Sequence, residues 1–272
     1  MGNFLGGMFD PTREGPGVSK DGPQKKRFFL FFDIYFRKFT KIILLNLIYV
    51  LVCLPIVTIG PATAAMTYCM RNFAREEHAD ISDFFDQFKK NFWQALGVSI
   101  LQGLCIGLVV FGLIFYYSLM SQDNAFGFFG FCFAVMSAVL LLFMSYYVYM
   151  IIVTFKQNLR QLIKNSFLFA FLGLGRNIIT TIILVIIYGW FTIYGILPTV
   201  MPLFDPNFPV SFDAVSLALA MYLLFLPSLT CFIVNFNIYP CVKKFMLDPA
   251  MAELEKQRQE QEEETILKTK KN

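Results

Sequence analysis

Four stretches of this chain, at about residues 93–119, 126–154, 178–200 and 213–239, are apolar almost without interruption. An α-helix rises 1.5 Å per residue, so about 20 apolar residues cross the ~30 Å hydrocarbon core of a bilayer. A water-soluble core cannot absorb the rest of the composition either. Of the 272 residues, 57% are hydrophobic and only 15% are charged, against about 25% in a soluble domain, and Phe alone occurs 33 times. The expected fold class is therefore all-α: a polytopic helical bundle whose first partner is the lipid bilayer.

Positive charge sets the sidedness, because Lys and Arg stay on the cytoplasmic face. Eight of the 23 lie in residues 1–41, four in 71–93, four in 155–177 and seven in 243–272. The connections 120–125 and 201–212 have none. Both the N-terminal segment and the 71–93 loop thus belong inside, and the chain between them must enter the membrane and return. We expect one helix from Phe28 to Leu54, its first part lying in the interface, a turn over Pro55–Gly60, and a return segment from Pro61 to Arg75. That makes six membrane segments with both termini cytoplasmic, in a multi-pass protein of the bacterial cell membrane. About fifteen residues reach only ~22 Å, so the second segment is either thinly spanning or re-entrant. Around this bundle (28–245) we expect a cytoplasmic Gly/Pro-rich extension (1–27) and a charged cytoplasmic tail (246–272). The extension has no apolar core of a cleavable signal.

The turn carries its own signals. Pro55 removes a backbone donor, Gly60 tolerates a sharp bend, and Pro61 suits the start of a helix that Thr58 or Gly60 would cap. The neighbouring alanines would make that helix narrow. Elsewhere, Ser99, Gly103 and Gly107 put three small residues on one helix face, read as a packing stripe either within the chain or between copies. Homo-oligomerisation stays open. Pro227 should kink the last helix.

On the cytoplasmic side, "DISDFFDQFKKNFW" places Ile81, Phe84, Phe85, Phe88 and Phe92 at helical spacing, with Ser82 as a candidate cap. Such a helix anchors at the interface or docks a partner; Phe84, Phe85, Phe88, Lys89, Asn91 and Phe92 are the docking candidates. Residues 156–172 hold the equivalent place before the next outward helix, and both contain Lys-Asn ahead of an apolar run, a possible internal repeat.

Little here points to catalysis. The apolar segments contain almost no ionisable side chain, no G-x-x-x-x-G-K-[ST] or H-E-x-x-H occurs, and His78 is the single histidine. We expect no enzyme activity, no cofactor, no metal site and no nucleic-acid partner. The six cysteines read as small buried hydrophobes. The polar groups at depth are Asn46, Gln102, Asn235, Asn237, Thr180, Thr181 and Thr230, which either join helices or form a solute path.

The stretch "LLNLIYVLVCLPIVTIGPATAAMTYCMRNF" resembles the YesL family of bacterial integral membrane proteins. The matching positions are Leu45, Asn46, Leu47, Leu54, Pro55, Thr58, Gly60, Pro61, Ala62, Thr63 and Ala65, then Phe84, Phe88, Lys89, Asn91 and Phe92. The resemblance runs over roughly residues 28–240 and is specific in its first third. It implies no agreed activity and no catalytic residues. It implies a neighbourhood: members are encoded beside carbohydrate ABC importers, sensor kinases and glycan-degrading enzymes. The expectation is a non-catalytic accessory or permease-like subunit of a carbohydrate ABC importer. The alternatives are an independent small-solute channel or facilitator, and a membrane scaffold for a sensor kinase.

Overall fold

The computed structural model describes residues 26–122, 124–193, 216, 220–221 and 223–271, with side chains of the last helix to residue 261. Among these residues the regular structure is helical, with no strand. The helices are α1 (Arg27–Arg37), α2 (Phe39–Val52), α3 (Ile59–Ala74), α4 (Ile81–Lys90), α5 (Phe92–Met120), α6 (Ala125–Thr154), α7 (Leu159–Leu172), α8 (Leu174–Phe191), α9 (Leu226–Val242) and α10 (Asp248–Lys271). Helices α5, α6 and α8 are each long and apolar enough to cross a membrane, and α2 is a shorter apolar helix. Their outer faces carry exposed Phe111, Phe129, Phe133 and Ile182, side chains that a bilayer would cover favourably. Residues 1–25 of the expected extension (1–27), and residues 194–200 and 213–215, 217–219 and 222 of the expected segments at 178–200 and 213–239, lie outside the described residues.

The centre of the bundle is α3. Twelve of its sixteen residues are buried, from Gly60 to Phe73. It touches α2, α4, α5, α6 and α9. Small side chains make this possible, since Ala62, Ala64 and Ala65 are all fully enclosed. The segment from Pro61 to Arg75 thus lies in the helix on which α2, α4, α5, α6 and α9 pack.

Gly60 has a different reason than the one expected. It lies inside α3 with no positive φ, so it relieves no bend. A Cβ there would fall 2.6 Å from both the Ala95 carbonyl oxygen and Ser99 Cβ. Its missing side chain lets α3 meet α5. The bend is made upstream by Pro55 and a 3₁₀ turn at Ile56–Thr58. Helix α3 begins at Ile59, two residues ahead of Pro61. Thr58 does not cap it: its hydroxyl donates back to the Val52 and Pro55 carbonyls, closing the turn onto α2.

The single helix expected over 28–54 is two. It breaks at Lys38, between Asp33 and Arg37 on one side and Lys41 on the other. The break thus falls among charged side chains, ahead of the apolar α2. Phe28, Phe29, Phe32 and Phe36 stay exposed along α1, whereas Ile34 and Tyr35 face the core, as fits a helix lying in the interface.

Hydrogen bonds gather the basic ends of the helices together. Arg71, late in α3, donates to the Val153 carbonyl and to Thr154 Oγ1 at the end of α6. Gln94 near the start of α5 donates to the Gln157 carbonyl after α6. Arg176 at the start of α8 donates to the Asn237 carbonyl late in α9, and Arg27 to the Phe236 carbonyl.

Two short helices precede α5 and α8. Each opens with a capping box: Asp80 N–H donates to Asp83 Oδ2 (2.9 Å) in α4, and Asn158 N–H to Gln161 Oε1 (3.3 Å) in α7. Asp80 therefore caps α4, in place of the expected Ser82. The Lys-Asn pairs do not correspond. Asn91 stands at the α4–α5 junction, whereas Asn165 lies inside α7, whose junction with α8 is Gly173.

Candidate functional site

Helices α2, α3, α5, α6, α8 and α9 line a half-open cavity of about 700 Å³. It falls within the ~300–1,000 Å³ range of small-molecule sites. Its walls alternate aliphatic groups with hydroxyls and amides, and among the described residues no Asp, Glu, Lys, Arg or His lines it.

Much of the polar lining is already paired across helices. Tyr49 of α2 bonds Thr63 of α3 (3.2 Å), Tyr146 of α6 bonds Thr181 of α8 (2.9 Å), and Tyr188 of α8 bonds Thr230 of α9 (3.0 Å). These pairs leave each tyrosine ring with one edge satisfied and its faces free for apolar contact. Three groups are not paired. The Asn235 amide nitrogen donates to the Cys231 carbonyl (2.7 Å), but its Oδ1 is buried with no hydrogen-bond partner. The Gln102 amide and the Tyr149 hydroxyl also have no protein partner among the described residues, and both line the cavity. A smaller cavity of about 100 Å³ adjoins this one through Gln102 and Ser145, and Ser166, whose buried Oγ has no partner, is among its lining residues.

A helix break forms one wall. Pro227 stands in the first turn of α9, just after an interruption at Phe225, so the expected kink is a break and restart. Proline has no N–H for the carbonyl four residues back, that of Leu223. Asn46 of α2 supplies the missing donor, with Nδ2 on the Leu223 carbonyl oxygen (2.6 Å). Its Oδ1 accepts from the Ser228 N–H (2.9 Å). One fully buried amide thus satisfies both groups freed by the break, which a bilayer would otherwise leave unpaired.

The residues singled out from sequence divide clearly. Gln102, Asn235, Thr63, Thr181 and Thr230 meet at the cavity. Asn46 holds the α9 break and is absent from the lining. Asn237 and Thr180 bond each other (2.6 Å), fastening α9 to α8. Ser99 packs on Gly60, while a Cβ at Gly103 or Gly107 would meet nothing within 4 Å, so within the chain the small-residue stripe is used at one end. Of the docking candidates, Phe84 is fully buried in the core around α3 and cannot contact a partner. Phe88 is half-buried against the same core, Asn91 donates to Gln87, and Phe85 and Lys89 are exposed. Composition-based reasoning missed the tyrosines. Tyr146 and Tyr149, three residues apart in an otherwise apolar helix, were the available signal.

Residues 42–117 match the model of a family described as a protein of unknown function, DUF624. The chain carries a DUF624 domain there. The match spans α2 to α5, just over a quarter of the chain, and takes in Tyr49, Thr63, Thr67 and Gln102 of the cavity but neither Asn235 nor Tyr149. No curated protein and no solved structure matches the chain.

Proposed function

We propose that this chain is a non-catalytic, permease-like membrane subunit serving a carbohydrate ABC importer in the bacterial cell membrane. The observation that carries the reading is the uncharged, hydrogen-bonding cavity inside an apolar bundle. Such a cavity can receive a neutral solute, and the described residues of its lining offer no acid or base to couple that solute to a proton gradient. In this reading the importer's ATPase supplies the energy. The DUF624 domain and the wider resemblance to the YesL family support the same assignment. In this reading six segments cross or enter the membrane, with both termini cytoplasmic, and α3 is the short second one. The clustering of basic helix ends supports that sidedness. Phe85, Lys89 and Trp93, exposed on and beside α4, are the docking surface offered to the importer.

Affinity purification from native membranes in mild detergent tests the proposal. Importer permease or ATPase subunits should co-purify, and should be lost with Phe85→Asp. Repeated recovery of the chain without them would refute it. The second, adjoining cavity favours one other reading, a facilitator acting alone, which predicts solute flux into proteoliposomes that contain only this protein. A sensor-kinase scaffold predicts instead that deletion abolishes induction of the transport genes and leaves uptake intact.

A further inference from the structure

We infer that Arg27 and Arg176 form a binding site for the headgroup phosphate of an anionic phospholipid, where α1, α8 and α9 converge. Such a site is independent of the importer assignment.

The site starts from a proline. Pro240 lies inside α9 and has no N–H for the carbonyl four residues back, that of Phe236. Arg27 fills that gap, with Nη2 on the Phe236 carbonyl oxygen (2.9 Å) and its guanidinium 5.4 Å from the centre of the Phe236 ring. Arg176 takes the next carbonyl, with Nη1 on the Asn237 oxygen (2.9 Å). Asn237 Nδ2 donates back to the Arg176 carbonyl (3.2 Å), which fastens α8 to α9 at this level. Two guanidiniums from helices far apart in sequence are thus fixed on consecutive carbonyls of a third.

What they lack is an anion. Among the described residues neither forms an ion pair; the paired carboxylates serve Arg37, Lys41, Arg75, His78 and Lys256. Burial, and then the Arg176 charge, lower the Arg27 pKa from its ordinary value, yet a guanidinium keeps its proton. Lys244 lies close enough to act, with Arg176, on the Cys241 thiol, so it adds to the positive field. Like charges held together without a counter-charge repel, and an anion between them relieves the repulsion. Each guanidinium has five N–H donors and uses one on its carbonyl, which leaves forks of the geometry that phosphate accepts.

The surroundings select the anion. Arg27 is exposed and Arg176 half-buried, so both can be reached from outside the bundle. Phe28, Phe29 and Phe32 are exposed on the helix that Arg27 begins, and Leu174 and Ile178 flank Arg176 in sequence and are exposed too. A free phosphate would leave these apolar side chains uncovered. A phospholipid sets its phosphate on the arginines and its acyl chains on the apolar groups. Net negative headgroups suit a basic pocket between helices, whereas phosphatidylcholine brings an ammonium that the pair repels.

The test uses the full chain in a neutral detergent, with lipid titrated in and bound molecules counted by native mass spectrometry. Thermal unfolding is followed in parallel. Dioleoylphosphatidylglycerol should bind saturably, about tenfold or more tighter than dioleoylphosphatidylcholine, and should raise the unfolding midpoint. Arg27→Gln and Arg176→Gln should each reduce that preference about fivefold. Lys156→Gln, which removes an exposed charge from the α6–α7 connection, should leave it within about twofold of the parent. If a Gln variant does not fold, the matching Lys variant keeps the charge, loses the fork and carries the test, with an expected loss of about threefold. The lipid assignment is overturned if phosphatidylglycerol is not preferred, or if every foldable variant at Arg27 and Arg176 keeps the parent's preference within about twofold. It is also overturned if Lys156→Gln lowers the preference as much as they do, since general charge would then explain the binding. Glycerol 3-phosphate and inorganic phosphate, titrated separately, should bind more weakly than the lipid. Binding of either as tightly as phosphatidylglycerol, with the same dependence on Arg27 and Arg176, would make the pair a site for a soluble phosphate and refute the lipid.

Discussion

Asn46 shows how much one side chain can decide in a bilayer. Water cannot reach the Leu223 carbonyl or the Ser228 N–H, so the amide between them is the available substitute. Asn46→Leu should leave both unpaired and destabilise the protein by about 2–6 kcal/mol, at ~1–3 kcal/mol for each group. Asn46→Asp keeps the acceptor for Ser228 and loses the donor to Leu223, so it should also fall below the parent. Equilibrium unfolding in mixed micelles measures both. A fully stable Asn46→Leu would mean that the break finds other partners. Gly60 poses the complementary case, where an atom must be absent. Gly60→Ala should cost about 1–3 kcal/mol by overpacking against the Ala95 backbone and Ser99. Gly103→Ala, where a Cβ meets nothing, should be neutral in the same assay.

Helix α4 is held at its first turn by charge as much as by apolar burial. Asp80 caps it, accepts from Lys41 Nζ (2.7 Å) and faces His78 (2.7 Å), while Arg37 pairs with Glu76 in the same loop. Hydrogen bonding from Lys41 first, and from His78 second, holds the Asp80 carboxyl below its ordinary value of 3.8. The sign follows from the folded value being the lower one. The stabilisation is present above 3.8 and is lost as pH falls through the depressed value. Hydrogen exchange at the amides of Ile81–Asp83, corrected for intrinsic rates, should therefore speed up only at strongly acid pH. Asp80→Asn should remove that pH dependence and weaken protection at neutral pH. An unchanged profile in Asp80→Asn would assign the protection of α4 to Phe84 burial alone.

For the whole molecule, the expected outcome concerns sidedness. In a background with all six cysteines replaced, Cys at Ser19 should react with a membrane-impermeant thiol reagent only after the inner face is opened. Cys at Thr58, in the turn before α3, should react from the outer side. Labelling of Thr58→Cys only from the inside would make α2–α3 a re-entrant hairpin.

Apolar length and the placement of Lys and Arg determined, from sequence alone, that α5, α6 and α8 are membrane-length helices. They also required the chain to turn back near Pro55, because length and net charge act residue by residue and need no knowledge of neighbours. The amphipathic 80–93 segment was legible for the same reason, as a period of 3.6. Which of its faces is free was not: Phe84 and Phe85 are equivalent in pattern, and only packing against α3 buries one and exposes the other. The same holds at the cavity. Asn46, Gln102 and Asn235 look alike in sequence as lone amides in apolar runs. Tertiary structure alone decided that Asn46 is spent on the α9 break while Asn235 keeps an unanswered acceptor, because hydrogen-bond satisfaction depends on which distant backbone groups come within about 3 Å.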